Sequence, residues 1–212
     1  MSVLGQQFFF PFSHATRVDL AFGHLGSAST EVEVAVFTAR GEVAHRRRFL
    51  DVFPRGCVTT RHDAKSDNLA RFVGPNLPGL VELRGGPESL LTASSLVIGK
   101  GLTACSLLRP VQASAGSQFF LPIAIGRAFH LLLASPFAAE TLVKVEVAPS
   151  GEDFVPLQEP LRLGQYQVAV TEDAFVVAKP AVVRATSAGG EPILAWGLGL
   201  GADRSELYPL CP

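Results

Sequence analysis

In TEVEVAVFTARGEV (Thr30–Val43), Val32, Val34 and Val36 alternate with Glu31, Glu33 and Ala35, and the run ends on a glycine turn. A period of two between apolar and polar positions marks a half-buried strand. The pattern returns in TLVKVEVAPSGEDF (Thr141–Phe154), where Val143, Val145 and Val147 stand 111 residues after the first three valines. Each half of the chain holds about seven short apolar runs broken by Gly, Pro, Asp and Ser, the rhythm of a small β-sandwich. No stretch of useful length has a helical period. The polar insertion DAKSDNLARF (Asp63–Phe72) has room for one helical turn.

The correspondence extends beyond the valine strands. QFFFPF (Gln7–Phe12) is matched by QFFLPI (Gln118–Ile123), and LDVFPRGCVTT (Leu50–Thr60) falls opposite EPLRLGQYQVAV (Glu159–Val170). GLVELRGGPESLLTASSLVIG (Gly79–Gly99) falls opposite AVVRATSAGGEPILAWGLGLG (Ala181–Gly201), each with a Gly-Gly turn between two extended runs. Similarity over nearly the whole chain predicts a tandem duplication. The expected fold is all-β: two tandem β-sandwich domains, immunoglobulin-like or jelly-roll-like, related by internal duplication. The first repeat is 1–110, the linker is 111–116 (VQASAG), and the second repeat is 117–212. The twin aromatic phrases become the first strand of each sandwich, with proline where no ladder donor is needed. Their phenylalanines are expected in a core or at the contact between the lobes.

Composition narrows the class. Apolar residues make up 48% of 212 positions and charged residues 17%, which excludes a disordered chain. The start, MSVLGQQFFFPF, has no basic region before its apolar run, so no signal peptide is expected. The longest central apolar stretch, AFHLLLASPFAA (Ala128–Ala139), is too short for a bilayer and contains His130 and Pro136. A protein without membrane insertion, cytoplasmic or assembled into a particle, is expected. Cys57, Cys105 and Cys211 have neither metal-ligand spacing nor the even number of a disulfide framework. They read as free thiols.

No catalytic constellation emerges. His14, His24, His45, His62 and His130 lack partners at metal-ligand spacing, and His62-Asp63 with Asp67 reads as a solvated loop. There is no GxSxG turn, and the glycine-rich GKG (99–101) and GLGLG (197–201) lack the helix and Lys-Ser/Thr of a phosphate cradle. No catalytic residue, cofactor or metal is expected.

Charge is distributed unevenly. Residues 1–110 carry 12 Lys and Arg against 9 Asp and Glu, a net of +3; residues 111–212 carry 6 against 10, a net of −4. The basic cluster is HRRRF (His45–Phe49); on a strand, Arg46 and Arg48 face one way and Arg47 the other. Nucleic-acid binding would call for more positive charge and interleaved exposed aromatics. A charged edge strand or a protein-contact surface remains. The candidate interaction surface is Arg46, Arg47, Arg48, Phe9, Phe10, Phe119 and Phe120.

The stretch SHATRVDLAFGHLGSASTEVEVAVFTARGEVAHRRRFLDVFPRGCVTTR (Ser13–Arg61) resembles small bacterial β-sandwich modules of the sensory rhodopsin transducer family. Ser-His, a valine-alternating strand, a turn and a Pro/Gly-marked strand carry the likeness; the second half has Ile125-Gly126 where Ser-His would fall. The resemblance implies a soluble, oligomeric, non-enzymatic partner of other molecules. The function expected is a structural or interaction protein assembling through β-sandwich surfaces, as a homo-oligomer or a subunit of a larger particle or appendage. The alternative is a ligand-binding module for carbohydrate or a small molecule.

Overall fold

The computed structural model describes residues 6–60, 68–87, 89–99, 102–108, 110, 115–123, 128–137, 140–171, 175–200 and 205–209. The first half contributes β1 (Gln7–Phe12), β2 (Ala15–His24), β3 (Thr30–Thr38), β4 (Val43–Val52), β5 (Cys57–Thr59), β6 (Gly79–Gly85), β7 (Leu91–Gly99) and β8 (Leu102–Leu108). The second contributes β9 (Gln118–Ile123), β10 (Ala128–Ser135), β11 (Glu140–Pro149), β12 (Val155–Pro156), β13 (Leu161–Gly164), β14 (Gln167–Val170) and β15 (Phe175–Val176). It continues with β16 (Ala181–Ser187), β17 (Leu194–Leu200) and β18 (Ser205–Pro209). The protein is all-β. Among the described residues the strands form a front sheet β1-β6-β3-β4, a central nine-stranded sheet and a back sheet of five. The expected helical turn is a 3-10 turn over Leu69–Phe72. The Asn68 side chain accepts from the Val18 and Ala70 N–H groups (3.0 Å each) and donates to the Thr16 carbonyl (2.6 Å), tying this turn to an irregularity in β2.

The two halves repeat the same pairings in the same register. Leu20 faces Ser95 between β2 and β7, and Leu131 faces Gly197 between β10 and β17. The steps are 111 residues from Leu20 to Leu131 and 102 from Ser95 to Gly197. The same two steps carry Val36–Val81 onto Val147–Val183, and Phe12–Gly79 onto Ile123–Ala181. The Thr60 N–H donates to the Leu20 carbonyl, and the Thr171 N–H to the Leu131 carbonyl. Thr60 therefore corresponds to Thr171, one residue beyond the match drawn from sequence alone. In each half the threonine hydroxyl also accepts the N–H of the central strand, Leu20 at 2.9 Å and Leu131 at 3.1 Å. A repeated register of this kind is what an internal duplication would leave behind.

The sandwiches differ from the tandem arrangement in one respect: they share the central sheet. Its order is β14-β10-β17-β18-β8-β7-β2-β5, with β15 also on β10, and the halves join where β18 runs parallel to β8. Alternate residues of a strand point to opposite faces. Leu131, Leu133 and Ala195 pack with the back sheet, while Leu132, Trp196 and Leu198 join the core under the front sheet. The second half of the central sheet is thus buried on both faces, which explains why β10 is apolar almost without a break.

The seam between the halves is aromatic. Phe8, Phe10 and Phe12 enter the first core, and Phe10 meets Trp196 edge-to-face at 5.2 Å. Phe9, on the other face of β1, packs with Ala134, Val168 and Leu194, beside Phe37 stacked on Tyr166 at 4.3 Å. The Val168 N–H donates to the Ala39 carbonyl (3.2 Å) and Gln167 Nε2 to the Arg40 carbonyl (3.2 Å). Gly41 turns the chain here at φ 81°, and a Cβ on it would lie 2.4 Å from the Gln165 carbonyl oxygen. No side chain fits.

Because Thr60 and Thr171 hold equivalent buried amides, Thr60→Val and Thr171→Val each leave a strand N–H without its acceptor. Chemical unfolding is expected to show a loss of about 1–3 kcal/mol for either variant. A loss at only one position would show that the repeated hydrogen bond is not equivalent in the two halves.

Candidate interaction surfaces

β4 is the outer strand of the front sheet, and its arginines divide as strand geometry dictates. Arg46 and Arg48 share a face with Glu33, at 3.5 and 2.9 Å from its carboxylate oxygens. Arg47 lies on the opposite face, its guanidinium 4.7 Å from the centre of the Phe49 ring. The hydrogen bond to Glu33 raises the Arg48 pKa above its ordinary value. Beside this group, Arg84 donates to Glu82 (2.6 and 3.0 Å) and Gln7 Nε2 donates to the same oxygen (2.6 Å). Arg46, Arg48 and Arg84 line a polar groove of about 270 Å³ with Glu31 and Glu33. Acidic neighbours already engage these arginines, and the charges sit where they block strand addition at an open edge.

The aromatic candidates separate from the arginines. Phe9, Phe10 and Phe119 are buried inside the chain, so they build its core and seam and offer no surface to a partner. Phe120 is 45% exposed on the outer face of β9, which forms the edge of the back sheet. Phe9 and Phe120 occupy the same place in the repeat, opposite Glu82 and Arg184 respectively. One is covered by the seam and the other is bare.

The sequence did not single out a groove on the first half of the central sheet. Its lining includes Ala21, Gly23, Arg55, Cys57, Thr92 and Ser94, and its volume is about 320 Å³. Leu25 and Leu107, also in the lining, are 59% and 70% exposed. Large exposed apolar groups gathered at one place are unusual on a free surface. The repeat register maps Ala21 onto Leu132, Gly23 onto Ala134, Thr92 onto Leu194 and Ser94 onto Trp196. It also maps Cys57 onto Val168, and Arg55 onto Tyr166, both at positive φ (59° and 60°) with N–H groups donating to the equivalent carbonyls of His24 and Ser135. In the second half this face carries large side chains and is covered by β1. In the first it carries small ones and is open. That contrast is readable only by aligning the halves position by position and comparing residue size.

Among the described residues no group of three or more His, Cys, Asp or Glu could hold a metal ion. His24 is buried and its Nε2–H donates to the Ala28 carbonyl (2.6 Å), fixing the β2–β3 turn. His45 stacks on Phe72 at 3.8 Å. His62, Asp63 and Asp67 lie outside the described residues, as do Cys211, Gly201, 111–114 of the linker and the side chain of Cys105. Cys57 is an exposed free thiol. Among the described residues no helix is long and apolar enough to cross a membrane. His14 of the first half and His130 of the second stack across the seam at 5.2 Å, with His130 Nδ1–H donating to the Thr171 carbonyl (3.0 Å).

No family model and no curated protein matches this sequence. Among solved structures, a glycosyl hydrolase family 2 member from Bacteroides cellulosilyticus is similar at 9% identity and TM-score 0.24, over 97% of this chain and 26% of that one. A GH2 β-galacturonidase from Eisenbergiella tayi, bound to glycerol, gives 12% identity and TM-score 0.22, over 98% of this chain and 35% of that one. The chain spans about a quarter to a third of those proteins, and a likeness this low carries no argument about fold or chemistry.

Partial desolvation, and then the facing His130, hold the pKa of the exposed His14 ring below the ordinary histidine value. The unfolded chain therefore binds this proton more tightly, and stability present at neutral pH falls as pH drops through the ordinary histidine range. Melting curves at about pH 7.5 and about pH 5.5 are expected to show a larger drop in Tm for the native chain than for His14→Asn, which keeps a side chain tolerant of the φ of 56°. Equal drops would remove His14 from the pH response.

Proposed function

We propose that the chain is a non-enzymatic interaction protein that works through its β-sandwich surfaces, with the open groove of the first half as its contact face. The observation that carries this reading is the pairing of equivalent faces: the chain buries one against aromatic side chains and leaves its counterpart concave, apolar and rimmed by exposed Leu25 and Leu107. Assembly into a particle or appendage is one use of such a face. Carbohydrate binding has less support. Such sites usually present aromatic platforms, whereas Trp196 and Tyr166 are committed to the seam.

The immobilised chain and its Leu107→Arg variant, exposed to the same mixture of cell proteins, distinguish these readings. Proteins retained by the native chain are expected to fall about tenfold or more on the variant, the scale of a charge placed in a contact centre. Identical retention by both, or groove-independent binding to a glycan array, would overturn the reading.

A further inference from the structure

β9 leaves an apolar ridge uncovered. Gln118, Phe120 and Pro122 are exposed while Phe119, Leu121 and Ile123 are buried. Val182, opposite Pro122, and Ala148, opposite Val182, continue the outer face beside the ridge and are half-buried. These positions are the counterparts of Phe9, Pro11, Leu80 and Phe37 on the front sheet. Of those four, Phe9, Phe37 and Leu80 form the seam cluster with Ala134, Val168 and Leu194. The chain therefore contains an aromatic edge strand seated on a central-sheet face and, elsewhere, the bare counterparts of both elements.

We propose that the Phe120–Pro122 ridge of one copy docks in the groove lined by Ala21, Gly23, Thr92 and Ser94 of a second copy, giving head-to-tail association. This rests on the reading of the groove as a protein-contact face. The groove residues are smaller than their counterparts, with Ser94 in place of Trp196 and Ala21 in place of Leu132. They leave space for the phenyl ring that the second half fills from its own side chains. Arg184, opposite Phe120, pairs with Glu146 at 2.8 Å, so the ridge face is charge-balanced and its fit to the groove is one of shape. The internal contact is also supported by the pairing of β18 with β8, and that pairing uses the free edge of both strands. A second copy cannot repeat it. The docking consists of side-chain contacts alone, so it is weaker than the internal seam. A contact between unlike surfaces does not close on itself by dyad symmetry and extends into rings or chains.

Sedimentation and light scattering of the full chain test this up to about 1 mM, where a head-to-tail contact with a Kd of about 0.5 mM is half formed. The native chain is expected to rise in mass with concentration. Phe120→Arg and Ser94→Arg are each expected to remain at the single-chain 22.5 kDa. Mixed in equal amounts, they should form a pair of about twice that mass, because each supplies the surface that the other lacks. Leu107→Arg serves as a second groove variant, and an unchanged melting curve shows that each variant is folded. A monomeric native chain, undiminished association of either variant, or a mixture that stays monomeric would overturn the docking. If the native chain is monomeric yet loses retained proteins on Leu107→Arg, the groove remains a contact face and only the second copy is wrong. If Leu107→Arg changes nothing in either assay, the contact-face reading fails as well.

Discussion

Everything distinctive in this molecule depends on β1 lying against the Trp196 face of the central sheet. A strand has two faces, and most strands of a sandwich bury one. β1 and β10 bury nearly every residue. Phe8, Phe10 and Phe12 supply the first core, while Phe9 reaches across the seam. On β10, Leu131 and Leu133 serve the second core, while Leu132 joins the first. The two most continuous apolar runs meet because each is the place where a layer is covered twice. The apolar area removed from water at such a contact far outweighs the few hydrogen bonds that accompany it.

Much of this was legible in the sequence. The valine alternation located β3 and β11, and the division of Arg46 and Arg48 from Arg47 followed from strand geometry. The matching of strands between the halves was legible too, because a period-two pattern keeps its phase wherever the same strand pairing recurs. It slipped by one residue at Thr60, where the 111-residue step is kept but no glycine marks the positive φ shared by Arg55 and Tyr166. The joined central sheet was not legible. Parallel pairing of β18 with β8 depends on how the halves dock, and no local pattern encodes docking. The phenylalanines were assigned both to the core or seam and to the outer surface. Burial decides between these: of Phe9, Phe10, Phe119 and Phe120, only Phe120 is exposed.

The halves share a backbone plan and differ in what they leave exposed. Trp196 answers to Ser94, Leu132 to Ala21 and Tyr166 to Arg55. Each change exchanges a filled position for a smaller or a charged one on the same face. On the outer sheets the exchange runs the other way. Phe37 and Ala35 in the covered half become Ala148 and Glu146 in the open one, where Arg184 donates to Glu146 (2.9 Å) and lies over the Phe154 ring at 4.0 Å. One half carries the interior contact and the other carries solvent-facing charge with a single aromatic ridge.

If β1 joins the halves into one core, neither sandwich is independently stable. Differential scanning calorimetry of the full chain tests this most directly. A shared core predicts one transition whose calorimetric and van't Hoff enthalpies agree, since no state with one half folded is populated. Two resolved transitions, or a calorimetric enthalpy well above the van't Hoff value, would show that the halves unfold separately and that the seam is only a contact between finished domains.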